Sequence, residues 1–264
     1  MNWRGGMELI RRSLFGWMAG RGFFWSLALG WMMPSLVYLF VWLRVSAHND
    51  LATFSRDEFV VYYLGLILVN QFTYPVSNWT VGDVIRSGNF SSWLLRPLPP
   101  IFEALASDIA MKMVTMPFAL AIVLGLALIL RPTTIVFTWL SLATFTLALI
   151  LAQSLRFMLA YTLALLALWA ARADALLMLN DTLLFLLAGQ VAPILLLPHG
   201  LQALAHILPY RYMLGFPLEL LLGKLSQIEI WQGFVWQISW LLVVWAVYRL
   251  IWQRGIRHYA AVGG

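Results

Sequence analysis

The sequence predicts an all-α, polytopic integral membrane protein with six transmembrane helices. Of its 264 residues, 62% are hydrophobic and only 11% are charged, and the mean hydropathy is +0.83. A soluble domain contains about 25% charged residues, which supply its wetted surface. Runs of about 20 apolar residues, enough to cross a bilayer, recur along the chain. These observations exclude a soluble fold and indicate one transmembrane domain over residues 1–264.

The N-terminal segment, residues 1–22, alternates arginines with large apolar residues such as Leu14 and Trp17. This pattern is typical of a helix that lies in the membrane interface. The alternative is a basic tail before the first span. We expect no cleavable signal peptide, because the first apolar run is too long and no small-residue cleavage site follows it.

Six apolar stretches after this segment are the predicted spans. The fourth is almost twice as long as a span requires. It is either one helix that protrudes from the membrane or two short spans broken near Gln153–Arg156. The six stretches are Phe23–Leu43, Phe59–Trp79, Met113–Leu130, Ile135–Ala171, Ala175–Leu197 and Phe234–Trp252.

The distribution of basic residues decides between these topologies. Six spans with both termini in the cytoplasm place the basic clusters at both ends of the chain inside, as the positive-inside rule favours. Seven spans would place one cluster outside. We therefore predict six spans and a fourth helix that extends beyond the inner membrane surface. The two clusters are Arg4, Arg11, Arg12 and Arg21, and Arg249, Arg254 and Arg257.

Two segments between the spans are too polar or too broken to cross the membrane. Residues 80–112 form a predicted cytoplasmic segment, and residues 198–233 form a predicted outer segment. Prolines and glycines recur at short intervals in the outer segment, which prevents long helices. We expect short helices there that dip into the outer leaflet or cap the outer mouth.

The chain offers no recognisable catalytic apparatus. It has no cysteine, and its four histidines form no HExxH or other close ligand set. Neither a P-loop nor a GxSxG motif occurs. We therefore predict no catalytic residue, metal site or cofactor in this chain. The net charge of +6 is explained by membrane topology, so no nucleic-acid partner is expected.

Polar residues inside the predicted spans allow two interpretations. They either hydrogen-bond between helices or face a substrate route. Arg156 and Asp181 could form a pair. Spans two and five carry the densest intramembrane polar groups, which favours them as the lining of a route. Gln71, Tyr74 and Asn78 fall at i, i+3 and i+7, on one stripe of span two. The residues predicted to line the route are Asn70, Gln71, Tyr74, Asn78, Asp181 and Gln190.

Within the cytoplasmic segment, residues 82–97 mix apolar side chains with charges. A short amphipathic helix, a turn at Gly88 and a stop at Pro97 would account for the pattern. An amphipathic element outside the bilayer must bury its apolar face against lipid headgroups or against a cytoplasmic protein.

Four stretches together resemble the permease subunit of a bacterial ABC exporter of the second type, in the subfamily with six spans. One departure is Tyr210, where the family usually has phenylalanine. The matching stretches are Val69–Gln71; Ile85–Asn89 leading to Leu94–Pro97; Gly189 and Pro193 through Leu208–Tyr210 to Pro217; and Arg254–Gly255 to Gly263–Gly264.

The resemblance implies an exporter subunit in the bacterial plasma membrane that works with a second permease chain, identical or related. It also implies two copies of a cytoplasmic ATPase, which would hold ATP and Mg²⁺. The segment after the second span resembles the family's coupling helix, which docks on the ATPase. The coupling residues it implies are Asp83, Ile85, Arg86, Phe90, Trp93 and Leu94.

The composition indicates an amphipathic or hydrophobic substrate, since 15% of residues are aromatic and few charges lie within the spans. The alternative function is a membrane-embedded lipid-modifying enzyme or a scaffold without ATP coupling. A neighbouring ATPase gene would distinguish the two, because only the exporter requires one.

Overall fold

The computed structural model describes residues 3–19, 30–47, 54–133, 138–169, 174–257 and 259. These residues are mostly α-helical, and no β-strand occurs among them, which confirms the predicted all-α class. The α-helices are α1 (Trp3–Ala19), α2 (Met33–Ser46), α3 (Arg56–Thr73), α4 (Ser77–Arg86), α5 (Phe90–Leu94), α6 (Pro100–Leu130), α7 (Trp139–Ala164), α8 (Asp174–Leu187), α9 (His199–Ile207), α10 (Tyr210–Met213), α11 (Gly215–Leu221) and α12 (Gln227–Gly255).

Among the described residues, four helical stretches are long and apolar enough to cross a membrane, and two shorter apolar helices accompany them. In chain order these six correspond to the six predicted spans, with different boundaries. The described residues therefore confirm a polytopic membrane protein. The long stretches are Arg56–Arg86, Pro100–Leu130, Trp139–Leu168 and Gln227–Gly255, and the shorter ones are Met33–Ser46 and Ala175–Leu187.

The second predicted span is not one straight helix. It breaks between α3 and α4, where Tyr74 adopts an extended conformation before Pro75. Proline disfavours helical geometry in the residue before it and lacks the N–H that the helix needs. The predicted stripe of Gln71, Tyr74 and Asn78 on one continuous helix face is therefore wrong.

The third span was predicted to begin at Met113, but α6 begins at Pro100. Proline is well suited to a first helical turn. The acidic residues that indicated a polar loop lie in this helix and form ion pairs in the folded chain. Glu103 pairs with Arg12 and Arg96, and Asp108 pairs with Lys112.

The fourth predicted span is continuous through Gln153–Arg156, because α7 runs without a break and ends in a 3-10 turn at Leu165–Leu168. The structure thus confirms one helix instead of two short spans. Residues 135–137 and 170–171 of this prediction lie outside the described residues, as do residues 23–29 of the first span.

The fifth predicted span ends too late, because α8 stops at Leu187 and not at Leu197. Gly189 follows with a φ of +86°, a left-handed conformation that glycine adopts readily and that ends helices. Tyr62 donates a hydrogen bond of 2.7 Å to the Gly189 carbonyl. Tyr63 and Trp42 donate to the carbonyl of Val191 at 2.8 and 2.9 Å. The chain after α8 is thereby fixed against α2 and α3.

The last helix, α12, extends beyond the predicted Phe234–Trp252 at both ends. A capping box formed by Ser226 and Glu229 fixes its start. The short helices predicted in the outer segment are confirmed as α9, α10 and α11. The predicted N-terminal helix is also present as α1, which packs along α6.

The helix α3 is the centre of the molecule and packs against α2, α6, α7 and α11. Its aromatic residues Phe59, Tyr62 and Tyr63 are buried in a large apolar cluster. A second apolar cluster surrounds α4 and the end of α7. Along α7, Leu155 belongs to the first cluster and Phe157 to the second. The polar residues described below lie at this boundary.

Candidate functional site

The segment predicted to be cytoplasmic contains two short helices, α4 and α5, joined by a tight turn at Gly88. Gly88 has a φ of +75°, a conformation that is energetically costly for residues with a side chain. The Gly88 carbonyl accepts hydrogen bonds from Tyr259 at 3.0 Å and from the Ser91 hydroxyl at 2.8 Å. The Tyr259 hydroxyl also accepts the Ser91 N–H at 3.1 Å. The C-terminal part of the chain thus holds the turn in place.

Two of the predicted coupling residues are buried within the chain. Ile85 and Phe90 belong to the second apolar cluster, and Phe90 meets the rings of Trp252 and Tyr259 edge-on. Their assignment as contacts of an ATPase stays a prediction. Their apolar face is covered by α7 and α12, so they position the segment, and truncating Phe90 would destabilise the chain itself.

The opposite side of the segment is open to solvent. Asp83, whose carboxylate accepts a hydrogen bond of 2.5 Å from Arg86, lies on this face. Leu95, at the end of α5, is 87% exposed. Trp93 and Leu94 are half-buried. Sequence reasoning did not name Leu95 among the coupling residues, although Leu95 lies in the stretch Leu94–Pro97 that carries the family resemblance. The exposed residues, here named the docking face, are Asp83, Ser87, Asn89, Ser92 and Leu95.

A buried carboxylate, Asp108, supports the break between α3 and α4. One of its oxygens accepts the Val76 N–H at 2.9 Å, which satisfies a backbone donor that the broken helix exposes. The other accepts hydrogen bonds from Lys112 at 2.5 Å and from Gln153 at 2.7 Å. One side chain therefore joins α4, α6 and α7. The i,i+4 spacing of Asp108 and Lys112 was the sequence signal for this pair.

Arg156 lies on the other side of the same break. Its Nη1 donates to Asn70 at 2.8 Å and to Thr73 at 2.9 Å, and its guanidinium lies 5.3 Å from the Tyr74 ring centroid. Thus Arg156 binds the end of α3 instead of pairing directly with Asp181, as the sequence had suggested.

Asp181 on α8 accepts hydrogen bonds from Asn78 at 3.1 and 3.2 Å, and from its neighbour Asn180 at 3.3 Å. Together with the residues around Asp108 and Arg156, these side chains form what we name the polar layer. It joins α3, α4, α6, α7 and α8 between the two apolar clusters. Its members are Asn70, Thr73, Tyr74, Asn78, Asp108, Lys112, Gln153, Arg156, Asn180 and Asp181.

The residues predicted to line a substrate route fall into three places. Four of them, Asn70, Tyr74, Asn78 and Asp181, lie in the polar layer. Gln71 is buried and donates to Thr115 on α6, which is a contact between helices. Gln190 is half-buried in the turn after α8. Their assignment to a route stays a prediction.

A second charged cluster, which sequence reasoning missed, lies among the short outer helices. Arg211 on α10 donates to both carboxylate oxygens of Glu219 on α11, at 3.2 and 2.5 Å. Burial raises the pKa of Glu219, so its ionised form depends on Arg211. Burial and the nearby Arg211 lower the pKa of His206. The neutral His206 ring can therefore accept a hydrogen bond at Nδ1 from Arg211, whose Nη1 lies 2.8 Å away.

Among the described residues, no group of three or more histidines, aspartates or glutamates is arranged to hold a metal ion. The geometry instead comprises a docking face, a polar layer behind it and a set of short helices at the opposite end of α3.

Comparison with known proteins agrees with this architecture. No curated protein matches the sequence. A family model described as ABC-2 family transporter protein matches residues 29–263. Because this match covers most of the chain, the protein belongs to the ABC-2 transporter family and is a membrane permease subunit of an ABC transporter.

Proposed function

We propose that the chain exports an amphipathic or hydrophobic substrate outward across the bacterial plasma membrane, with both termini in the cytoplasm. Family membership implies an ABC ATPase partner. In this proposal two copies of that ATPase hold ATP and Mg²⁺, and the chain works beside a second permease chain, identical or related. The observation that carries the proposal is the docking face, which is exposed on a rigidly held turn.

The docking face has the composition of a small protein-binding surface. Leu95 offers an exposed apolar contact, and Asp83, Ser87, Asn89 and Ser92 add exposed polar groups. Protein interfaces commonly combine an apolar core with a polar rim. The buried Ile85 and Phe90 keep the segment ordered before binding, which lowers the entropic cost of docking.

The polar layer offers a path from the docking face to the membrane helices. The helix α4 packs against α6 and α7, and Asp108 binds the backbone at its first turn. A displacement of α4 by the ATPase would act on the Tyr74–Val76 break and hence on α3, which packs against most of the other spans. We expect ATP-driven motion to pass along this route.

At the opposite end, α9, α10 and α11 pack against α7, α8 and α12. The Arg211–Glu219 pair holds α10 to α11. In the proposed orientation these helices cover the outer exit. They would have to shift for substrate to leave the membrane.

The test is to place a charge at the exposed apolar residue of the docking face. Leu95→Asp should reduce co-purification of the chain with the ATPase encoded beside it by about tenfold, because loss of an apolar anchor costs about 1–2 kcal/mol or more. Membrane insertion should be unaffected, since Leu95 is exposed.

The matched control is Leu204→Asp, which changes an exposed leucine of α9 at the opposite end of the chain. It should co-purify with the ATPase as the wild type does. Equal ATPase recovery with Leu95→Asp and Leu204→Asp would contradict the assignment of the docking face.

A further inference from the structure

An apolar cleft of about 400 Å³ lies between α3, α6 and α7. The central helix α3 packs against both α6 and α7, whereas the described residues of α6 and α7 make few direct contacts with each other. The two helices therefore part over the surface of α3. Every residue that lines the cleft is apolar, including Leu64 and Leu68 of α3, Val123 and Ala127 of α6, and Phe145 of α7.

The cleft has the length of one membrane leaflet. Its lining extends from Val61 to Phe72 on α3 and from Met116 to Ala127 on α6. At ~1.5 Å per residue, each of these stretches is about 16 Å long. The hydrocarbon core of a bilayer is about 30 Å thick, so one leaflet spans about 15 Å. The inner end of the cleft stops where Gln71 bonds to Thr115.

A cation marks the other end of the cleft. Pro132 lines it there, and the preceding residue, Arg131, is exposed. Arg131 ends α6 with a φ of +45°, and its N–H donates to the Ala127 carbonyl at 2.9 Å. This left-handed cap fixes the backbone that presents the guanidinium. Arginine binds phosphate well, and Arg131 directly precedes the cleft residue Pro132.

The width of the cleft limits what can occupy it. Dividing its volume by its length gives a mean cross-section of about 25 Å². A helix with its side chains is about 10 Å across, or about 80 Å² in section. A whole helix from a second copy of the chain would not fit within the enclosed part of the cleft. A hydrocarbon chain would, and the lining offers no polar partner to any other kind of ligand.

We propose that the cleft holds one phospholipid of the surrounding bilayer, with an acyl chain along α3 and its phosphate at Arg131. The lipid replaces the contacts that α6 and α7 do not make with each other. It thereby fills the space between the two helices on the central helix α3.

Filling the cleft with a side chain tests the proposal. Ala127→Phe places a ring in the cleft, whereas Ala121→Phe makes the same change on the exposed side of α6. The purified full chain is reconstituted in phosphatidylglycerol vesicles that contain nitroxide-labelled phosphatidylglycerol. The immobilised lipid fraction is measured by electron paramagnetic resonance. We expect the number of immobilised lipids per chain, obtained from this fraction, to fall by about one in Ala127→Phe and to be unchanged in Ala121→Phe.

A second pair keeps the test valid if Ala127→Phe does not fold. Leu142→Trp fills the cleft from α7, and Leu147→Trp changes an exposed leucine of the same helix outside the cleft. The same contrast is expected. Equal immobilised fractions in the filled variants and in their controls would overturn the proposal. So would a change of oligomeric mass in the filled variants without loss of immobilised lipid, because a second copy would then occupy the cleft.

The phosphate position is tested separately. Asparagine tolerates the left-handed conformation without a charge, so Arg131→Asn should reduce the immobilised fraction, while Arg131→Lys should largely retain it. Wild-type lipid retention in Arg131→Asn would overturn the assignment of the phosphate to Arg131.

Discussion

Buried charges in this chain have partners from other parts of the sequence. Asp108 is fully buried and binds Lys112, Gln153 and a backbone N–H. Arg156 binds the end of α3. A charge removed from water without such partners would cost several kcal/mol. In a chain with so few charges, each of these groups therefore fixes the relative positions of two or more helices.

The Arg211–Glu219 pair provides a prediction at this scale. Arg211→Met leaves a buried carboxylate without its partner, which should destabilise the protein by about 3–5 kcal/mol. The double variant Arg211→Met/Glu219→Leu removes both charges and should recover most of that loss. The thermal unfolding midpoint of the detergent-solubilised protein measures both effects. If the double variant unfolds as early as Arg211→Met alone, the pair does not act through its charges.

Among the elements, α5 is held by a contact that is remote in the sequence. The Tyr259 hydroxyl bonds both the Gly88 carbonyl and the Ser91 N–H, and its ring packs on Phe90. The turn thus combines a glycine conformation with a hydroxyl clamp contributed from beyond α12.

Removing that hydroxyl should loosen α5 without unfolding it. Tyr259→Phe keeps the ring contact but loses hydrogen bonds that contribute about 1 kcal/mol, so amide exchange at Ser91 should accelerate about fivefold. Hydrogen–deuterium exchange of a peptide covering residues 88–92 measures this change. Tyr248→Phe removes a hydroxyl from a nearby ring that packs against Tyr161 and Trp252 and serves as the control. Equal exchange in the two variants would contradict the clamp.

Local sequence signals predicted most helices but not all of their ends. Pro75 and Gly189 carried usable signals for the break after α3 and the end of α8, because each restricts backbone geometry locally. The apolar residues continue through the break after α3 and past the end of α8, so the hydrophobic pattern alone indicated longer spans. The early start of α6 was missed because Glu103 and Asp108 resemble loop residues until their partners are known.

The candidate site also depends on contacts that local sequence patterns do not reveal. The alternation of apolar and polar residues around Gly88 predicted an amphipathic turn. It did not indicate whether Ile85 and Phe90 would face a partner or their own chain. That depends on Trp252 of α12 and on Tyr259, which are more than 150 residues away in the sequence. Contacts at that separation follow from packing, which no local pattern encodes.

On the scale of the whole molecule, the polar layer separates two apolar clusters, and α3 passes from one towards the other. The long spans α6 and α12 expose much of their apolar surface, as helices at the lipid boundary do. The central α3 is largely buried. This arrangement makes α3 the element through which motion at either end must pass in the proposed transport cycle.

The orientation of this architecture in the membrane is the last prediction. With six spans and cytoplasmic termini, a reporter fused after Gly264 should be active in the cytoplasm and one fused after Asp50 should be active outside. The basic clusters at both ends of the chain favour that arrangement. A fusion after Arg131 should behave like the fusion after Asp50, because α6 crosses back from the docking-face side. A fusion after Gly88 should behave like the one after Gly264. If the fusions after Asp50 and Gly264 report the same side, the six-span topology is wrong, and the docking face cannot be assigned to the cytoplasm.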